Sequence, residues 1–457
     1  MNKNTNLYKN KIFKLAVQNH KDNNFQEAKN LYEEILRIDS NNTEIHNNLG
    51  TVYKSLGENQ KAISCFEKAI EINSSYPDAH NNVGVVYQSL GENQKAISCF
   101  EKAIEINPNY SEAHNNLGRV LRIMDEYQKA ISCFEKAIEI DPNYSVAIDN
   151  LGKSLLAVGK YQKAISYFEK VIEIDPNYSG VYNSLGQIFG HLGESQKAIK
   201  YLEKAIEINP SYIDAYNNLG KIFKDLNEHQ KAINSYKNIL TINPNNLDAF
   251  NNIGNVFYNL KQYQNAKNFY EKAIEIDPNY LITINNLGIT LSTMGENQKA
   301  IDYYQKVIKI NPDFTNVQNN LGIALCSFNE YQKAVTCFKK AIETDPNSAS
   351  THNNLGVTYR NLCEQKKAMI CFEKAIEIDP DLSDAHFNLG LQFDFLKLLK
   401  KSKICYEKAL HYQPNNILYR ETYGKLLISL NKQTEGLRYI IKASGVIEFT
   451  QSGLKII

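Results

Sequence analysis

Apolar and small side chains fall into short stripes along this chain, and the stripes alternate with polar faces at helical spacing. Between Pro77 and Tyr110 the first stripe is His80, Val83, Gly84 and Tyr87, the i, i+3, i+4, i+7 pattern of one face of an α-helix. Gly91 interrupts it, as glycine does at helix ends. A second stripe follows at Ala96, Phe100, Ala103 and Ile104, and Pro108 stops it because proline lacks the N–H and clashes with the preceding turn. The pattern predicts two helices joined by a short turn. Small residues at Gly84 and Ala96 predict a close crossing between them.

The same thirty-four-residue pattern recurs along nearly the whole chain, from Gly50, Gly84 and Gly118 through to Gly424, with one more copy centred on Ala16. With Pro77 as position 1, thirteen units run from Lys9 to about Thr450, leaving residues 1–8 as an N-terminal extension and 451–457 as a tail. Ten of the eleven prolines stand at position 32. No single helix pair can bury its stripe alone, so neighbouring pairs are expected to stack into one continuous, all-α solenoid of about thirteen helix-turn-helix units. Length alone would have suggested about three domains, and the repeat overrides it.

Glycine at position 8, alanine at 20, Phe or Tyr at 24, alanine at 27 and proline at 32 resemble the tetratricopeptide repeat. Ala28 through Ala368 hold position 20 in eleven of thirteen units. The resemblance implies a right-handed superhelix of paired antiparallel helices whose A helices line a concave groove. Ser402 and Gly436 replace the position-20 alanine and Lys397 replaces a turn glycine, so the last two units are expected to pack less regularly.

The family's groove corresponds to positions 2, 5, 6, 9 and 12. Position 6 is asparagine in ten units: Asn48, Asn82, Asn116, Asn150, Asn218, Asn252, Asn286, Asn320, Asn354 and Asn388. Lys14, Ser184 and Thr422 interrupt the series. An asparagine amide both donates and accepts, matching a peptide group. Rungs ~8–10 Å apart would meet an extended chain about every third residue. This ladder resembles that of the superhelical arm of O-linked N-acetylglucosamine transferases, where equivalent asparagines grip substrate peptides. The chain is also asparagine-rich at position 5, so compositional drift is the alternative origin. If the ladder binds, replacing Asn218, Asn252 and Asn286 is expected to weaken peptide binding and leave stability nearly unchanged. No unit has lysine at position 5, which disfavours the family's clamp for chaperone carboxylates.

Arg119, Arg122, Lys153, Lys221 and Lys224 add a basic stretch at positions 9 and 12, and Ile289, Ile323, Val357 and Leu391 follow it with an apolar one. Elsewhere candidate chemistry dissolves into the repeat. Six of eight cysteines (Cys65, Cys99, Cys133, Cys337, Cys371, Cys405) share position 23, too far apart for disulfides and without any CxxC pair. Five of nine histidines (His46, His80, His114, His352, His386) share position 4 and read as fillers of an aromatic slot. No nucleophile motif, phosphate loop or HExxH occurs, so neither catalysis nor a cofactor or metal is expected.

Fifty-one basic against fifty acidic residues leave a net charge of +1, so no broad basic field draws nucleic acid or a membrane surface. No apolar run reaches membrane-spanning length, and no secretory signal is evident, which makes a cytoplasmic location the expectation. The sequence reads as a non-enzymatic scaffold binding a protein or extended peptide in the groove. The alternative is the substrate-recognition arm of a protein-modifying, glycosyltransferase-like enzyme whose catalytic domain is absent from the chain. The segment SGVIEFTQSGLKII predicts two short strands about Gln451–Gly453, either folding back on the last pair or opening a further domain. Partner identity and oligomeric state are not readable.

Overall fold

The structure, a computed structural model, describes residues 3–314, 316–444, 447–450 and 453–456. Among them are twenty-six helices, two per repeat. Helix A occupies positions 1–13 and helix B positions 17–30 with little variation, for example Pro77–Ser89 with Asn93–Ile106 and Ser383–Phe395 with Leu399–Tyr412. The chain divides into two compact units, residues 1–226 and 227–457, each built on a stack of antiparallel helix pairs.

Three bounds depart from the template. The first helix starts at Lys3, so residues 3–8 lengthen helix A of repeat 1. Helix A of repeat 10 is shortened to Val317–Cys326, following Asn316 in a left-handed conformation. Helix B of repeat 13 ends at Ser444, and residues 447–450 pair antiparallel with 453–456, Ile447 opposite Ile456. The segment up to Thr450 is therefore not helical to its end, because the β-favouring run Ile-Glu-Phe-Thr takes over from the repeat.

Most repeats are closed by one steric device, the exceptions being repeats 1, 6 and 13, where Ala16, Leu202 and Ile440 replace the glycine or the ring. An ideal Cβ on Gly84 would stand 2.8 Å from Phe100 Cε1, and one on Gly118 2.7 Å from Phe134 Cε1. The position-8 glycine thus lies beneath the ring at position 24, which is fully buried as Phe66, Phe100, Phe134 and Phe168. The position-20 alanines are equally buried, and the ring is the glycine's partner. Repeat 12 keeps the common helix bounds, while helix B of repeat 13 is shorter, at 12 residues against 14. Ser402 is buried and donates to Gly390 O at 2.9 Å, so its hydroxyl is satisfied where alanine stood. In repeat 13 both partners are glycine, and a Cβ on Gly436 would meet Gly424 O at 2.6 Å. Losing the position-20 methyl as well brings backbone against backbone.

All thirteen A-to-B turns place position 15 at positive φ, five with glycine and eight with Asn23, Asp125, Asn227, Lys261, Asn329, Cys363, Lys397 and Asn431. Left-handed geometry costs a non-glycine residue about 1–2 kcal/mol, which glycine escapes while losing more chain entropy. Lys397→Gly is therefore expected to stabilise the protein by about 0.5 kcal/mol, read as a higher urea midpoint with unchanged slope. An unchanged or lower midpoint would show that the turn is not strained.

The histidines of position 4 do more than fill a slot. Nε2 of His46, His80, His114, His352 and His386 lies 2.9–3.2 Å from the carbonyl six residues earlier, at position 32 of the preceding repeat. The Tyr182 hydroxyl donates to Pro176 O in the same way at 3.1 Å. This carbonyl lies just beyond the end of helix B, so the ring ties the start of helix A to the preceding repeat. The cysteines are free among the described residues, and burial pushes the thiols of Cys65, Cys99, Cys133, Cys371 and Cys405 up to about 11. Such thiols are protonated at neutral pH and poor nucleophiles. Among the described residues no three metal-ligating side chains cluster, and no helix is long and apolar enough to cross a membrane.

Candidate functional site

The asparagine face of the A helices is built from two columns. In eight places Nδ2 of the position-6 asparagine donates to Oδ1 of the position-5 asparagine one repeat earlier. In the first unit these are Asn82 to Asn47, Asn116 to Asn81, Asn150 to Asn115 and Asn218 to Asn183, each 3.0 Å. In the second they are Asn286 to Asn251 at 2.9 Å, Asn320 to Asn285 and Asn354 to Asn319 at 3.1 Å, and Asn388 to Asn353 at 3.0 Å. Asn48 has Phe13 at the preceding position 5, and its side chain makes no hydrogen bond among the described residues. Asn252 is half-buried at the same register.

These bonds correct the expectation that the ladder carries no structural role. Asn116 and Asn150 are buried, and so are the acceptors Asn47, Asn81 and Asn115, with Asn81 at 0% exposure. Each rung ties consecutive A helices together, so removing one exposes a buried carbonyl to an unmet hydrogen-bond demand. The asparagines at position 5, which composition alone would explain, are the other half of the same device.

The breaks in the ladder are coupled. Where position 6 is Ser184, the preceding position 5 is Asp149, and Ser184 instead donates to Gly180 O at 3.1 Å. Asp149 Oδ2 takes Lys153 at 2.7 Å and the Tyr178 hydroxyl at 3.2 Å in place of the missing amide. Where position 6 is Thr422, the preceding position 5 is Phe387, which stacks on Tyr419 at 4.4 Å between ring centroids.

A rung uses one N–H of each position-6 amide. The Oδ1 of Asn388 accepts from Arg360 Nη1 at 3.1 Å. That of Asn82, Asn116, Asn150, Asn218, Asn286, Asn320 and Asn354 has no donor among the described residues and is not sealed from solvent. Arg360, at position 12, is a basic residue bonded to the asparagine face that charge counting along the sequence passed over. Burial draws its guanidinium below the ordinary arginine value.

The five expected basic residues are not equivalent. Lys153 is neutralised by Asp149, and Lys224 lies 3.9 Å from Asp225. Arg119 and Lys221 are exposed, and Arg122 is half-buried with Nε unpartnered. The structure brings Lys221 and Asn218 together in a notch of about 260 Å³, closed by Gln187, His191, Ile222 and Asp225. The notch exists because position 12 of repeat 6 is Gly190. A Cβ there would meet Ile222 at 3.5 Å, an ordinary contact, so packing does not require the glycine. Further along, Ile323 is exposed and Ile289, Val357 and Leu391 are half-buried, giving the second unit an apolar strip beside its rungs.

Comparison with known proteins agrees with this geometry at the level of the repeat. A family model described as "Tetratricopeptide repeat" matches residues 41–109, 75–143, 110–177, 144–211 and 245–313. Further models of the same repeat match 201–234, 220–261, 324–362, 349–382 and 383–416. No curated protein aligns significantly with the chain. Similar solved structures include the APC/C hetero-tetramer Cut9-Hcn1, at 15% identity and a TM-score of 0.48, covering 92% of this chain and 96% of that one. Yeast Tom70 aligns at 17% identity and a TM-score of 0.42, covering 96% of each chain. YrrB, described as a TPR protein with an unusual peptide-binding site, aligns at 26% identity and 0.35, covering 40% of this chain and 95% of that one. With family models matching more than half its length, and with the glycine-under-ring crossing repeated along it, the chain belongs to the tetratricopeptide repeat family.

Proposed function

We propose that this protein is a non-catalytic interaction scaffold that holds an extended peptide segment of a partner protein along the face of its A helices. The observation carrying this reading is the set of five half-buried position-6 amides, Asn82, Asn218, Asn286, Asn320 and Asn354, whose Oδ1 keeps no donor after their rungs are made. An extended peptide offers N–H groups to these acceptors whatever its side chains are, so the ladder holds backbone and tolerates varied sequence. The rungs fix the amides in advance, which lowers the entropy lost on binding. Arg119 and Lys221 supply charge for carboxylates of the peptide, and the Gly190 notch receives one of its side chains.

Gly190→Leu tests this without disturbing the core. The leucine fills the notch and improves helix propensity by about 0.8 kcal/mol, so melting should not fall. Affinity for a partner recovered with the native protein should drop about tenfold or more, measured by titration with the purified partner. Unchanged affinity for G190L and for a Lys221→Glu variant would place binding on another face.

A further inference from the structure

Position 11 of helix A is tyrosine in three repeats, and comparing them isolates one difference. The Tyr53 hydroxyl donates to Glu33 Oε1 at 2.7 Å, and Tyr87 reaches Glu67 Oε1 at 3.5 Å, in each case position 25 of the preceding repeat. A position-19 lysine lies over each ring, Lys61 at 5.4 Å and Lys95 at 5.2 Å. Repeat 11 has the same tyrosine, Tyr359, and the same lysine, Lys367, at 5.3 Å. The carboxylate is missing, because position 25 of repeat 10 is Lys339. Among the described residues the Tyr359 hydroxyl has no acceptor and Lys339 no carboxylate partner.

A cavity of about 510 Å³ opens at this place, on the helix-B side of repeats 10 and 11 and outside the asparagine face. Its wall is mainly apolar, formed by Ile342, Leu355, Tyr359 and Ile370, with Lys339 at its rim. Glu343 also lines it, while Lys367 and Lys374 are each paired with a carboxylate of their own helix, Glu364 and Glu377. Lys339 and Glu343, one helical turn apart, are therefore the two charges of the lining without an ion-pair partner among the described residues. Position 22 is polar in the first ten repeats, as in Ser64, Lys200 and Asp302, but becomes Ile370 and Ile404, exposed at 64% and 56%. An apolar side chain in water gains by being covered, by about 25 cal/mol per Å².

We propose that this cavity docks an acidic peptide segment in which a carboxylate side chain stands beside a large apolar residue. The carboxylate takes the place that Glu33 and Glu67 hold at the earlier tyrosines, accepting from the Tyr359 O–H and pairing with Lys339. The apolar residue covers Ile342 and Ile370. A missing acceptor, an unpaired cation and an unprotected isoleucine all call for the same complement. The site is independent of the asparagine face.

The test is fluorescence anisotropy with the full chain and fluorescein-labelled hexapeptides carrying Glu next to Phe, Leu or Ile, beside their Gln counterparts. A Glu peptide should bind at least about tenfold more tightly than its Gln version. Lys339→Glu rebuilds the internal carboxylate, so it should weaken binding about tenfold or more while melting at or above the native temperature. Ile370→Ser, which restores the usual polar residue, should weaken it several-fold, and Gly190→Leu should leave it unchanged. No binding by any Glu peptide at millimolar concentration, equal binding of Glu and Gln forms, or unchanged binding by folded K339E would each overturn the proposal. Loss of binding in G190L would assign the peptide to the groove instead. The other results leave open whether the groove takes a partner of its own, so failure here is distinguishable from failure of the groove reading.

Discussion

Gly152→Leu is expected to lower stability by about 1–3 kcal/mol, the range for overpacking a well-filled core. A Cβ at Gly152 would fall 2.5 Å from Phe168 Cε1 and 2.9 Å from Cδ1, and Phe168 is fully buried. The ring cannot retreat because it already fills the space between the two helices, so the crossing itself must open. Stability in a repeat array is a sum of repeat and nearest-neighbour terms, so the loss should spread into the repeats on either side. Gly190→Leu supplies the control, since the same side chain enters a helix A of the same unit where a Cβ meets nothing closer than 3.5 Å. Thermal melts should separate the pair clearly, with G152L lower and G190L level or higher. Equal melting temperatures would mean that the position-8 glycine is not held by sterics.

Removing three rungs should have an effect of similar size and a different character. The triple variant Asn82→Ala, Asn116→Ala and Asn150→Ala leaves the carbonyls of Asn47, Asn81 and Asn115 without their donors. Those acceptors are buried at 6%, 0% and 2% exposure, so each orphaned group costs about 1–3 kcal/mol. A total near 3 kcal/mol or above follows, with a lower denaturant midpoint. A double-mutant cycle on Asn81 and Asn116 should return a coupling of ~0.5–1.5 kcal/mol. Additive single effects would deny the rung. The sequence alone suggests the opposite result, unchanged stability, and the hydrogen bonds are the reason for the reversal. Binding studies on ladder variants must therefore be read beside their melts, whereas notch variants such as G190L are free of that complication.

Much of the molecule is already present in the one-dimensional pattern. The thirty-four-residue period, the stripes at positions 4, 7, 8 and 11 and the proline at position 32 determine the helices, their turns and their order. They do so because each element answers to residues close by in the chain: a helical stripe, a turn residue, a helix stop. A repeat also lets many copies vote on the same position. The two strands near the C-terminus are equally local, a short β-favouring run on either side of a turn.

What the period does not determine is how one repeat speaks to the next. Reading position 6 as a column found Asn116, but its partner Asn81 lies thirty-five residues back, on a different column. A signal was present, since Ser184 and Thr422 break the ladder where Asp149 and Phe387 break the preceding position 5. It becomes legible only once stacking sets the two columns side by side. The same holds for Tyr359 and Lys339, twenty residues apart, whose mismatch has meaning because Tyr53 and Tyr87 find carboxylates at that spacing. It holds for Gly190, which looks like any helix glycine until the space beside Ile222 and Lys221 is seen to be empty. Helix formation is a contest among neighbours in sequence, and the sequence decides it. Hydrogen bonds between side chains of successive repeats depend on distances of about 3 Å that only the packed helices establish.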